Sequence, residues 1–361
     1  MDQNKIARTD HKITTILLFS FLAVILFVSA CTPSNKTNSA QDQNTQTSDT
    51  DDSEADKQEE DQESQDQTSD NDEIQFLPDG TPYLIHPNQI RGGGPPKDGI
   101  PSIDNPSFVT VQEADEWLED NETGIAIIHK GVKRFYPFQI LVWHEIVNEK
   151  IANDPILVTY CPLCGSGIVF ERKIDGEEVE FGTSGKLFNS NLVMYDRKTD
   201  TYWNQIGGKA VVGELTGKVL DLFPADVTTW GEWKAVHPDS EVLSRQTGFI
   251  RSYGTNPYGN YSKIRRIIFP VDESDDSLHP KAVIFGIEVD GTYKAYSEFD
   301  VKNAGVIEDT INGVNIKVER DEAGLVIITN LETGKRIPHE RDFWFAWFAF
   351  FPDTELYSPE G

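Results

Sequence analysis

Two stretches of this chain repeat one another, and that repetition limits the fold more than any other feature. Residues 124–160 can be laid on residues 284–320 at a constant offset of 160 without a gap. Gly131 falls on Gly291, Tyr136 on Tyr296, Ile151 on Ile311, Ile156 on Ile316 and Val158 on Val318. Arg134 falls on Lys294, Leu141 on Val301 and Ile146 on Val306. Each copy reads as a strand, a glycine turn (His129-Lys130-Gly131 or Val289-Asp290-Gly291), a strand carrying the tyrosine, a short helix or bend, and a further strand or hairpin. The pattern predicts an α+β, mainly β, pseudo-symmetric domain built on a duplicated unit.

The first copy runs into a segment that the second does not share. Val158-Thr-Tyr-Cys-Pro-Leu-Cys-Gly-Ser-Gly-Ile-Val-Phe170 is a strand, a tight turn and another strand. Gly165 supplies the positive φ such a turn needs and lets backbone N–H groups face the two sulfurs. A thioredoxin-type motif would lead into a helix, which Gly165-Ser166-Gly167 starts poorly, and a c-type haem site would need histidine where Gly165 stands. In the second copy Asp321, Gly324 and Ala304 align with Cys161, Cys164 and His144. The scaffold therefore does not depend on those three side chains, which points to function.

Two thiolates, an imidazole and a thioether form a soft donor set that suits copper better than zinc. The candidate metal ligands are Cys161, Cys164, His144 (17 residues upstream) and Met194, with His129 and Glu145 in reserve. Thiol–disulfide redox at the same cysteines is the alternative, with Cys161 exposed and Cys164 resolving. A covalent enzyme would use Cys161, Ser166 or Ser184 as nucleophile, His144 as base and Glu145 to orient it. A structural disulfide would close too short a loop to stabilise much. No residue identifies a substrate. A ligand-binding envelope module would instead use the aromatic and basic segment 248–270.

Lys5, Arg8 and Lys12 precede an apolar run from Ile13 to Val28 that ends in Ser29-Ala30-Cys31. This reads as a lipoprotein signal peptide over residues 1–30, with Cys31 as the lipidated first residue of an extracytoplasmic protein anchored to the membrane. Between Gln41 and Glu73 stand 14 acidic residues and one lysine, −13 of the chain's net −28. Residues 31–73 thus read as a self-repelling tether, and 74–361 as a single globular domain. So acidic a chain offers no footprint for nucleic acid.

The runs TYCPLCGSGIVF, FGTSGKLFNSNLVMYDRKTDTYWNQIGGKAVVG and TTWGEWKAVHPDSEVL resemble the family called domain of unknown function 3179. GGGPPKDGIPSIDNP, WHEIVN and FWFAWFAFFPDTELY extend the resemblance from about residue 90 to 358. It implies an exported protein and brings no activity. Lys186 and Phe135 depart from the family's usual leucine and alanine.

Overall fold

A computed structural model describes residues 73–359, all within the unit Asp66–Gly361. The segment read as a signal peptide, Cys31 and the acidic run up to residue 72 lie outside the described residues. The architecture is mainly β, with several sheets and five α-helices among the described residues.

The duplication is visible in the element bounds. A short strand β1 (Phe108–Thr110) and helix α1 (Val111–Ala114) lead into the first copy. That copy comprises β2 (Thr123–His129), β3 (Val132–Pro137), α2 (Phe138–Leu141), β4 (Ile146–Ile151), β5 (Asp154–Cys161) and β6 (Ser166–Glu171). An inserted sheet follows, with β7 (Phe181–Phe188), β8 (Asn191–Asp196), β9 (Tyr202–Asn204) and β10 (Ala210–Val212) at its centre. The first copy resumes as β11 (Asp226–Thr229), α3 (Trp230–Val236) and β12 (Glu241–Leu243). The second copy is β13 (Val283–Val289), β14 (Thr292–Ser297), α4 (Glu298–Ala304), β15 (Val306–Ile311), β16 (Val314–Arg320) and β17 (Val326–Asn330). It closes with β18 (Glu340–Phe343), α5 (Trp344–Phe350) and β19 (Glu355–Leu356).

The relationship extends beyond the expected repeat. Asp226 faces Ala126 across one sheet as Glu340 faces Gly286 across the other. Trp230 and Trp233 of α3 correspond to Trp344 and Trp347 of α5, and Glu241 to Glu355, at an offset of 114. The sheet orders agree, β11-β2-β3-β12-β1 against β18-β13-β14-β19, and each copy adds a three-stranded sheet. An inward-facing ion pair is repeated too. Arg134 Nη1 meets Glu149 Oε1 at 2.5 Å and Tyr136 Oη donates to Glu149 Oε2 at 2.9 Å. In the second copy Lys294 Nζ meets Asp309 Oδ2 at 2.9 Å, and Tyr296 Oη donates to it at 2.8 Å. The tyrosine and the basic residue recur because they hold one inward carboxylate, which burial would otherwise neutralise.

Local rules account for the element ends. Thr229 caps α3, its side chain accepting from Glu232 N, and Ser297 caps α4 by accepting from Asp300 N. The tryptophans of α3, Trp230 and Trp233, are fully buried. The apolar tail forms α5, with Trp344, Phe345, Ala346, Trp347 and Ala349 buried. The helical spacing of Val111, Ala114, Trp117 and Leu118 predicts a helix over Ser107–Leu118, but only Val111–Ala114 is helical, because Phe108–Thr110 pairs with β12 and Thr110 then opens a capping box with Glu113. Gly182-Thr183-Ser184-Gly185 reads as a loop in the sequence, yet it lies inside β7, with a bulge between Thr183 and Lys186.

Candidate functional site

The turn between β5 and β6 carries both thiols, and the second copy covers it. Cys161 pairs with Ser166, which leaves Pro162-Leu163-Cys164-Gly165 as the turn. Gly165 adopts φ +63°, and a Cβ there would meet the Phe343 ring at 2.6 Å. Strand β18 lies against the turn: Phe343 N donates to Cys164 O at 2.7 Å and Arg341 Nη1 to Gly165 O at 3.2 Å. The matching turn of the second copy, Asp321 to Leu325, packs in the same way against β11 of the first, where Thr228 Oγ1 donates to Ala323 O at 2.7 Å. That turn is one residue shorter, since Arg320 pairs with Val326 where Tyr160 pairs with Gly167. Gly324 therefore stands in the place of Gly165, and the gapless match of Gly324 with Cys164 is corrected. The first copy thus has four residues, Cys161 to Cys164, where the second has Asp321 to Ala323, and Ala323 stands opposite Cys164.

The sulfurs sit on the hairpin turn between β7 and β8. Asn189 and Ser190 both have positive φ, 47° and 65°, as a two-residue turn matching strand twist requires. This aims Ser190 O at the pair, 3.3 Å from Cys164 Sγ and 4.0 Å from Cys161 Sγ. The one proton of Cys164 thus has two acceptors in reach, Ser190 O and the sulfur of Cys161. Both thiols are buried and unpaired by a disulfide. Burial works against ionisation of Cys161, yet the Cys164 thiol and the backbone N–H groups of Cys164, Leu192 and Leu163 outweigh it and pull that thiol down. Cys164 moves the other way, pushed well up by burial and by donating to Cys161.

Two buried carboxyls, Glu145 and Asp342, interact with Cys161, and Glu340 interacts with Asp342. Glu145, held at φ +59° after α2, is pushed well up by burial and by the charge of Cys161. Glu340 and Asp342 alternate on β18 and so share one face. They are 5% and 0% exposed. Glu340 Oε1 accepts from Gly207 N at 3.1 Å, whereas Glu340 Oε2 and both oxygens of Asp342 have no hydrogen-bond partner. Burial raises both, and Asp342 is raised further by Glu340 and Cys161. The sequence reading missed this pair. Its signal was two charges at strand spacing just before an all-apolar helix.

A satisfied network lies alongside. Ser166 Oγ and Asn191 Nδ2 both donate to Gln205 Oε1, at 2.7 and 2.8 Å. Gln205 Nε2 donates to Thr159 Oγ1 at 3.0 Å. The strap from 245 to 281 covers the thiols with Tyr258 and Tyr261, both packed into the same apolar cluster as the cysteines. Lys281 Nζ lies 3.8 Å from the Tyr261 ring centroid and donates to Arg266 O at 2.9 Å. Burial lowers it to about 8.

The remaining sequence candidates are placed as follows. His144 is held by Pro101 O at Nδ1 and by Tyr253 Oη at Nε2, both at 2.7 Å. Burial lowers it, and its neighbours are Phe249 and Tyr253 of the strap. Met194 is fully buried in β8 in the cluster that contains the cysteines. His129 Nε2 pairs with Asp154 Oδ2 at 2.5 Å, and its ring packs edge-on to Phe223. Ser184 Oγ donates to Val193 O and accepts from Lys186 N at 3.1 Å, both consequences of the bulge. Among the described residues, no three His, Cys, Asp or Glu side chains stand together as a metal-holding group.

The family model described as "Protein of unknown function (DUF3179)" matches residues 97–337. No curated protein and no solved structure matches the chain.

Proposed function

The chain belongs to this family of proteins of unknown function, and we propose that its Cys161–Cys164 pair works as a thiol–disulfide redox couple on an extracytoplasmic, lipid-anchored protein. The observation that carries the reading is the geometry of the pair: two free thiols on one turn share the acceptor Ser190 O, 3.3 Å from Cys164 Sγ and 4.0 Å from Cys161 Sγ. Backbone N–H groups and the Cys164 thiol favour the Cys161 thiolate, while Cys164 is kept protonated. A nucleophilic and a resolving thiol differ in this way. The thiolate of Cys161 attacks one sulfur of a partner's disulfide. That S–S bond breaks, and the far sulfur leaves as a thiolate that takes up a proton. Cys164 then attacks the Cys161 sulfur of the mixed disulfide; the bond between Cys161 and the partner breaks, and the departing partner thiolate takes up the proton that Cys164 loses. Two electrons pass to the partner, and a dithiol of a second protein restores the pair. Because Cys161 is only 2% exposed, exchange requires the strap bearing Tyr258 and Tyr261 to part from it.

The test is to equilibrate the full chain in dithiothreitol buffers of graded redox poise, trap with an alkylating reagent and count labels by mass spectrometry. Both thiols should disappear together and reversibly, and Cys164→Ser should leave a thiol that is alkylated at lower pH than the one left by Cys161→Ser. Thiols that stay reduced at every poise would defeat the reading. So would stoichiometric copper lost in the double serine variant, which would make the pair a metal site. The anchor rests on the Val28-Ser29-Ala30-Cys31 sequence. Cys31→Ser should release the protein from membranes, and retention would refute lipidation.

A further inference from the structure

On the face of β18 opposite Glu340 and Asp342, Arg341 and Phe343 border a cleft of about 370 Å³. That volume falls within the range of small-molecule sites, roughly 300–1,000 Å³. Phe138 and Tyr160 form an aromatic wall, their rings stacked at 3.9 Å and 17°. Uncharged polar groups surround it, among them Asn121, Thr123, Asn256 and Ser262.

The two charges in the cleft are unequally served. Glu122 accepts from Gln139 Nε2 at 2.8 and 2.9 Å and from Glu119 N at 2.9 Å, so its oxygens are occupied. Arg341 donates to Gly165 O at 3.2 Å, its contact with Glu298 is stretched to 4.0 Å, and its Nε is buried without a partner. A guanidinium offers five donors in a planar fork, and a carboxylate is the group that meets two of them at once. A half-used arginine at the edge of an aromatic-walled cleft thus lacks an acceptor.

We propose that this cleft binds a small ligand by its carboxylate, with Arg341 receiving the carboxylate and the Phe138–Tyr160 pair supporting the ligand's body. The C-terminus of a short peptide and a sugar acid share that chemistry. The site stands apart from the thiol chemistry, since neither sulfur lines it.

The test is calorimetric titration of the purified full chain with glycyl-tyrosine, with its C-terminal amide and with galacturonate. The Cys161→Ser/Cys164→Ser variant is titrated alongside. At least one acid probe should bind, equally well with and without the thiols, and the probe that binds identifies the ligand's source. The amide should bind about tenfold more weakly or worse, and Arg341→Lys should lose a comparable factor. Ser262→Trp fills the cleft from an exposed position, so it should abolish binding while leaving the melting temperature unchanged. Equal affinity for acid and amide would overturn the proposal, as would undiminished binding by Ser262→Trp or no binding of any probe at millimolar concentration.

Discussion

Replacing Gly165 by alanine should unseat the thiol turn from β18. Two costs add. Alanine in the left-handed region costs roughly 1–2 kcal/mol. A methyl group 2.6 Å from the Phe343 ring must displace an aromatic side chain that is itself buried, and overpacking of that kind costs roughly 1–3 kcal/mol. Stiffening the unfolded chain returns about 0.4–1 kcal/mol. The net loss is about 3 kcal/mol, or about 1 M in the urea midpoint at a slope of about 3 kcal/mol per molar. Gly313→Ala is the matched control, because Gly313 has φ +80° and nothing within 4 Å of its built Cβ. It should lose only the backbone cost. Urea titrations of both variants, and of Gly165→Ala/Phe343→Leu, separate the contributions. The double variant should recover at least about 1 kcal/mol of coupling. Equal losses in Gly165→Ala and Gly313→Ala would refute the argument that Phe343 seats the turn.

Two further outcomes follow from the carboxylates. Glu340 and Asp342 are raised by burial, so the folded protein holds protons that the unfolded chain releases above about pH 4. Their stabilising effect is complete below that pH and is lost as pH rises through the folded values. Stability should therefore fall from pH 5 towards 9, and Asp342→Asn should flatten the slope by up to about 1.4 kcal/mol per pH unit; an unchanged slope in denaturant titrations would contradict the assignment. Tyr136→Phe removes a hydrogen bond to a buried charged group and should cost about 1.5–3 kcal/mol. Tyr296→Phe should cost less, because Asp309 is more exposed than Glu149, and thermal melts that reverse this order would count against the comparison.

The hairpin architecture was legible because its signals are local. Glycine turns and alternating apolar residues mark β2–β3 and β13–β14, and the tyrosines keep the two copies in register. The second half of the duplication escaped notice. The first copy reaches β11 only after the inserted sheet, whereas the second passes from β17 to β18 through residues 331–339, and the surviving likeness is little more than two tryptophans and a glutamate. His144 shows the opposite failure. Its nearness to the cysteines in sequence suggested a shared site, but Tyr253 and Pro101, remote in sequence, take both ring nitrogens. Glu340 and Asp342 were overlooked because charge flanking an apolar run ordinarily faces solvent. Here β18 turns that charge inward.

The exchange of turns between the copies has a consequence for how this chain can change. Each half holds the other through a turn laid against a strand, so the joint is made twice. One joint, Ala323 and Gly324 against Thr228, secures the halves with ordinary polar contacts. That redundancy leaves the other free to vary, and it is the one that acquired an extra residue, two sulfurs and a buried acid pair. Substitutions around Asp321–Gly324 should therefore be tolerated or rejected on stability alone, while those around Cys161–Gly165 should divide into some that weaken the protein and some that leave it intact but inert.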